Sequence, residues 1–284
     1  MSISALRPAP PAVNARGLRG LLFQAGIFVK RGFVHNSSYR LNFTLSVVNV
    51  LIGLVSYYFL SHVVSGKQLG PYSDNPAGYI VVGATFTTFV NVALASYSGS
   101  IRSEMFLGTI EHWLLSAASL TRLVVLSTVW EFLWPLITTL ITFTFLIAIL
   151  GVHFNPNWLT VLVFFLLTLV TMSGFGLISA GIIMVSKIGD PLSTAWAAVN
   201  ILLIGALFPV SVLPGWMQAI SAVLPNTHAL EGLRQGMLLD ASLGSQLHEL
   251  LITGCFCVIV VPLGAVGFHL GFERARAQGT LGQF

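Results

Sequence analysis

Few side chains in this sequence could do acid–base or covalent chemistry, and they stand far apart. The seven histidines, His35, His62, His112, His153, His228, His248 and His269, are scattered along the chain. Neither the H-E-x-x-H zinc motif nor the G-x-S-x-G nucleophile turn occurs. No nucleophile–base–orienter set is visible, so no catalytic residue is expected. Cys255 and Cys257 form a C-x-C inside an apolar run. Metal sites need more ligands than that, and no nearby histidine supplies them, so both read as inert thiols and no metal site is expected. Gly66-Lys67 is followed by Gln68 and lacks the preceding glycine of a P-loop. The chain is not expected to hydrolyse ATP by that route.

Glu131 is a different case. It is the one acidic or basic side chain within six long apolar stretches, 41–64, 75–101, 123–150, 158–186, 193–212 and 250–272. Each stretch can cross a ~30 Å hydrocarbon core, which takes about 20 residues of helix. About eight residues into its stretch, Glu131 would lie ~12 Å deep. An intramembrane ionisable group is a functional-site hypothesis by default. The structural alternative pairs it with an arginine or with donors of a neighbouring helix. That reading is preferred, because a proton-coupled carrier would show more than one such group.

The composition demands these stretches. Hydrophobic residues make up 55% of 284 positions and charged residues 8%, against about 25% charged in soluble domains. A chain so poor in charge cannot solvate its own surface, and lipid must cover much of it. The net charge of +4 comes from basic residues at the ends of the stretches, not from runs interleaved with aromatics. Nucleic acid is therefore not an expected partner. With the N-terminus cytoplasmic, eleven of the 13 Lys and Arg residues fall on that side, leaving Lys67 and Arg234 outside. Both termini are expected in the cytoplasm. The first 20 residues carry no apolar segment, so no cleaved signal peptide is expected. The expected fold is all-α: one six-span membrane domain over 41–272, an N-terminal tail and interfacial helix over 1–40, and a cytoplasmic tail over 273–284.

Three pieces between the stretches carry pattern. In 17–33, Leu18, Leu21, Leu22, Ala25, Val29 and Phe33 share one helical face while Arg19, Lys30 and Arg31 lie off it. This fits a helix lying in the cytoplasmic interface, or a cytosolic extension of the first span. In 101–122, Phe106, Leu107, Ile110, Trp113 and Leu114 make an apolar stripe. Glu104, Gly108, Glu111 and His112 make an opposite polar one. Such a helix lies under the bilayer and offers its acidic face to a soluble partner, or it is a connector with solvated charges. In 213–240, two short apolar stripes flank Pro225-Asn226, and Glu231 and Arg234 stand three residues apart. Either the pair dips into the outer leaflet, Glu231 and Arg234 satisfying one another, or both helices lie on the surface.

Residues 100–115, S-I-R-S-E-M-F-L-G-T-I-E-H-W-L-L, resemble the R-x-E-x-x-x-G-T-x-E-x-L-L loop of the type-2 ABC exporter permeases. One residue is added before the paired leucines. Residues 208–216, F-P-V-S-V-L-P-G-W, are similar to that family's F-P-x-S-x-L-P-x-W element. Residues 225–234, P-N-T-H-A-L-E-G-L-R, resemble its P-x-T-x-A-L-E-x-x-R continuation, with Asn226 where many relatives carry an apolar or small residue. The three occur in family order and together span most of the chain.

The resemblance implies a half-transporter of the prokaryotic inner membrane. It would pair as a homodimer with two copies of an ATP-binding subunit, and ATP and Mg would be bound on that partner and not on this chain. By resemblance, Arg102, Glu104, Gly108, Thr109 and Glu111 belong to the coupling helix received by the ATPase. Pro209, Pro214, Glu231 and Arg234 belong to outer re-entrant helices. Expected cargo is amphipathic, lipid or lipid-linked saccharide. The alternative is an ion-coupled secondary carrier with no ATPase partner.

Overall fold

The computed structural model describes residues 18–38, 40–63, 69–108, 120–186 and 190–278. These form helices and connecting turns, with no strand among the described residues. In chain order the helices are α1 Leu18–Ser38, α2 Arg40–Val63, α3 Pro76–Phe106, α4 Leu120–Ser127, α5 Val129–Leu150, α6 Trp158–Ser186, α7 Pro191–Leu203, α8 Gly215–Ser221, α9 Pro225–Leu238 and α10 Leu247–Ala277. Helix is what hydrocarbon demands, because it satisfies each backbone donor and acceptor within one segment.

Four stretches of described helix are long and apolar enough to cross a membrane: Pro76–Phe106, Arg122–Ala148, Trp158–Ser186 and Leu243–Ala277. The expected 41–64 stretch falls on α2, a continuous helix of 24 residues. The expected 193–212 span does not form one helix. α7 stops at Leu203 after 13 residues, or ~20 Å at 1.5 Å per residue. Gly205 then turns into the left-handed region (φ 72°), and a 3-10 turn at Val210–Val212 follows an extended Pro209. A glycine conformation closed to other side chains, followed by a proline, ends the helix where apolar composition alone would continue it.

Helix starts follow local chemistry. The Asn75 side chain accepts from Gly78 N at 2.9 Å, with Pro76 in the first turn of α3. Asp190 caps α7 in the same manner, accepting from Ser193 N at 3.0 Å ahead of Pro191. Pro225 opens α9. Each start combines a side-chain acceptor, a proline whose missing N–H costs nothing there, or both.

α6 and α10 share the most extensive packing, and α3 lies against α6. The core between α3, α6, α7 and α9 is built on Val90, Leu94, Phe164, Met172, Ile204 and Leu230. Glycine sets the α6–α10 separation. A Cβ on Gly264 would sit 2.4 Å from the Gly174 carbonyl oxygen, and one on Gly271 would sit 2.4 Å from that of Gly181. The Gly267–Gly271 pair legible in the sequence lies on this seam, whereas Gly176 faces α3, its would-be Cβ 2.8 Å from the Ala93 carbonyl. Lipid tails are as apolar as leucine, so close backbone approach between small residues, not burial from water, drives such packing.

Gly264→Ala and Gly271→Ala should each destabilise the protein by about 1–3 kcal/mol, the usual cost of over-packing. Gly254→Ala, whose Cβ would meet nothing within 4 Å, should be neutral. Thermal unfolding in detergent reads the difference.

Candidate functional site

α3 carries a polar site near each end. At its Pro76 end the centre is Arg234 of α9, with only 2% of its surface exposed. Its Nη2 donates to the Ala206 carbonyl at 2.7 Å and the Tyr79 carbonyl at 3.3 Å. Its guanidinium carbon lies 3.5 Å from the centre of the Tyr79 ring, and the Tyr79 hydroxyl donates to the Gly205 carbonyl at 3.2 Å. Gly83 makes this possible: a Cβ there would fall 1.9 Å from the Ala206 oxygen and 2.5 Å from Arg234 Nη2.

The expected direct pairing of Glu231 with Arg234 is corrected here. Glu231 instead accepts from the Tyr72 hydroxyl at 2.7 Å and from Gln235 Nε2 at 3.0 Å. The helix places the two residues three apart, but the more buried one turns to backbone carbonyls and an aromatic face. Burial pushes the Tyr72 phenol far above its ordinary range, reinforced by the Glu231 charge and hydrogen bond. Tyr72, Tyr79, Glu231 and Arg234 line a cavity of about 440 Å³, together with Thr227 and Gln218.

Pro209 also lines this cavity. Pro214 stands just before α8, and its carbonyl accepts from Met217 N and Gln218 N. Asn226, the departure from the family pattern, is buried and donates through Nδ2 to Asn200 Oδ1 at 2.8 Å, tying α9 to α7. The histidines, scattered in sequence, are not all scattered in space. The ligand-capable atoms of His228, His248 and Glu249 lie within 4.8 Å of one another.

Toward the Phe106 end, about 25 residues or ~38 Å along α3, Arg31 Nη2 of α1 meets Glu104 Oε1 at 2.9 Å. Arg31 is half exposed, while Glu104 is 5% exposed. Glu104, expected on the cytoplasmic face, is instead inside, while Phe106 of the apolar stripe is 67% exposed. The reason is that α3 continues past 101 to Phe106, so Arg102, Ser103 and Glu104 extend the span helix and Glu104 turns inward to α1. Gly108 ends the helix at φ 66°, its N–H donating to the Met105 carbonyl. The positive φ accounts for a glycine there. Thr109 and Glu111, with Ile110, Trp113 and Leu114, lie outside the described residues.

Glu131, in the first turn of α5, lines a cavity of about 580 Å³ together with Arg31, Glu104, Asn91 and Trp130. α1 reaches this place through Gly32, against the Trp130 ring.

Sequence reading missed Asp190. Its carboxylate accepts from Ser98 of α3 and Ser179 of α6, and from Ser193 Oγ of α7 at 2.6 Å. Burial would raise this carboxyl, but the hydroxyls of Ser179, Ser193 and Ser98 outweigh it and hold it below the usual carboxylate range. The run Asp190-Pro191-Leu192-Ser193 is a helix-start signature that could have located the cap. The two further serines come from distant helices.

A sequence model of the ABC-2 type transporter family matches residues 24–238. The matched region takes in both ends of α3, the Arg31–Glu104 pair and the Arg234 cradle. No curated protein matches the chain.

Two outcomes follow from the geometry. Glu104→Lys should set two cations face to face and cost between the ~1 kcal/mol of a surface pair and the ~3–5 kcal/mol of a buried one. The swapped double variant Arg31→Glu/Glu104→Lys should recover part of the loss in a double-mutant cycle. Asp190→Asn should destabilise by about 1.5–3 kcal/mol, the worth of hydrogen bonds to a charged group. Because the folded carboxyl is depressed, its contribution is complete above the unfolded value near 3.9. It is lost as pH falls through the folded value, and Asp190→Asn should flatten that acid limb in an unfolding titration.

Proposed function

Because this chain belongs to the ABC-2 type transporter family, a family of membrane transport components, we propose that it is the permease of an ATP-driven exporter. It forms the path for an amphipathic, lipid or lipid-linked saccharide cargo. The family implies association with an ATP-binding subunit. In this reading two such subunits serve a homodimer of the present chain, and ATP and Mg reside on them. The observation that carries the proposal is the extent of the family match, 24–238, over a chain with several apolar membrane-length helices.

The finer architecture belongs to the same proposal. α2, and α7 together with the irregular chain through the 3-10 turn at Val210–Val212, complete six passes, with both termini cytoplasmic in a prokaryotic inner membrane. α8 and α9 dip into the outer leaflet and return. Their support is chemical: α8 has 7 residues and α9 has 14, each too short to cross a ~30 Å core. A guanidinium as buried as that of Arg234 also belongs inside a protein layer rather than on a wet surface. The coupling role of Arg102, Glu104, Gly108, Thr109 and Glu111 is divided in two. Glu104 anchors the end of α3 to α1 through Arg31. Glu111 meets the ATPase through charge-assisted hydrogen bonds.

Reconstitution with the ATP-binding subunit tests this reading. Equal amounts of the two chains should copurify, and liposomes should accumulate cargo only with ATP. Glu111→Lys should release the ATPase or uncouple its hydrolysis while the permease still inserts. Transport by this chain alone, driven by an ion gradient, would overturn the proposal in favour of a secondary carrier.

A further inference from the structure

We propose that His228, His248 and Glu249 form a binding site for a divalent transition-metal ion of the zinc type, clamping the start of α9 to the start of α10. His228 is the fourth residue of α9; His248 and Glu249 are the second and third residues of α10. The two starts are 22 residues apart in sequence, and folding brings their side chains to one place beside the Tyr72–Arg234 cavity, which His228 and Glu249 also line.

Hydrogen bonding around His228 defines the site. Its Nε2 lies 2.8 Å from the Ala222 carbonyl, an acceptor, so this nitrogen carries a proton and donates. In the neutral ring, Nδ1 then presents a lone pair, and it faces Glu249 Oε2 at 2.5 Å. Two acceptors opposed in this way need a proton or a metal ion between them. The arrangement is also that of a metal-ligating histidine, whose remote N–H is held by a backbone carbonyl that fixes tautomer and ring orientation. His248 supplies a second imidazole, its ring centre 5.9 Å from that of His228 at an interplanar angle of 75°. The rings meet edge to face, not stacked, so both can aim a nitrogen at one point.

Two imidazoles and one carboxylate suit a borderline ion such as Zn²⁺ rather than Mg²⁺ or Ca²⁺, which prefer all-oxygen shells. Zinc–ligand bonds of about 2.0–2.2 Å place tetrahedral ligands ~3.3 Å apart. The His228–Glu249 contact would therefore open by less than ~1 Å, and the third ligand would close in from within the 4.8 Å spread. His248 is exposed while His228 and Glu249 are half-buried, which gives the ion an entry path and leaves a coordination position for water.

The test is titration of the purified full-length chain in detergent with Zn²⁺ alone by calorimetry, and with Co²⁺ by visible absorption. The expected result is one ion per chain, with the intensified Co²⁺ bands of tetrahedral nitrogen and oxygen coordination. His248→Ala removes an exposed ligand with little risk to folding. Glu249→Gln keeps the side chain's size and its ability to hydrogen-bond. Each should weaken Zn²⁺ binding by more than the roughly 10–100-fold that loss of an outer-shell partner costs. His153→Ala, a change at an exposed histidine outside the cluster, should leave binding intact. Absence of stoichiometric binding in the unaltered chain would overturn the proposal and leave a proton-sharing His228–Glu249 pair. Unchanged affinity in both His248→Ala and Glu249→Gln would overturn it equally.

Discussion

Arg234 must keep a positive charge while almost wholly buried among helices. A guanidinium at 2% exposure cannot be left to the apolar side chains that dominate this protein, because desolvating an unpaired charge costs far more than a helix contact returns. The solution uses backbone carbonyls instead of a direct ion pair. α7 breaks at Gly205 so that the Ala206 carbonyl can turn to Nη2, and α3 presents the Tyr79 ring and carbonyl. Gly83 leaves the space in which these groups converge. The interruption of the fifth apolar stretch is thus tied to the charge it serves.

The same economy appears at the other end of α3. Glu104 is neutralised by Arg31 of α1, and Asp190 is held by hydroxyls from α3, α6 and α7. α3 is therefore the member to which α1, α7 and α9 are each fixed by polar contacts. α6 and α10 are joined differently, by glycines that bring backbones together. In a bilayer the first kind of joint specifies position, since few arrangements satisfy a charge. The second supplies contact area, since dispersion grows with closeness. A transporter needs both: fixed points that define its states, and seams along which helices stay packed while those points move.

The polar features also divide the molecule by chemistry. One end of α3 gathers Tyr72, Glu231, Arg234 and the His228–Glu249 pair around one cavity. The other gathers Arg31, Glu104 and Glu131 around a second. In the permease reading, the first faces the exit and the second adjoins the ATPase-binding loop. A change of charge state or occupancy at either would act on α3 directly.

The sequence by itself determined the class of this protein and its family. Charge poverty and long apolar stretches require a helical membrane protein, and three ordered motifs carry the likeness to the type-2 exporters. The helix starts at Pro76, Pro191 and Pro225 rest on equally local chemistry, because caps and prolines act within a turn of themselves. Only the tertiary structure decided where the charges go. Three-residue spacing allowed a Glu231–Arg234 pair, yet Arg234 turns to carbonyls from α3 and from the turn after α7. An amphipathic pattern put Glu104 toward the cytoplasm, yet the longer α3 carries it inward to Arg31. Asp190 went unread in the sequence, and Ser98 and Ser179, which hold its carboxylate, come from other helices. His228 and Glu249, 21 positions apart, became neighbours through a fold that no local pattern encodes. The reason is common to all of these. Helix formation and membrane partition are set by residues within a few positions of one another, whereas the partner of a buried charge is set by which distant helix packs beside it.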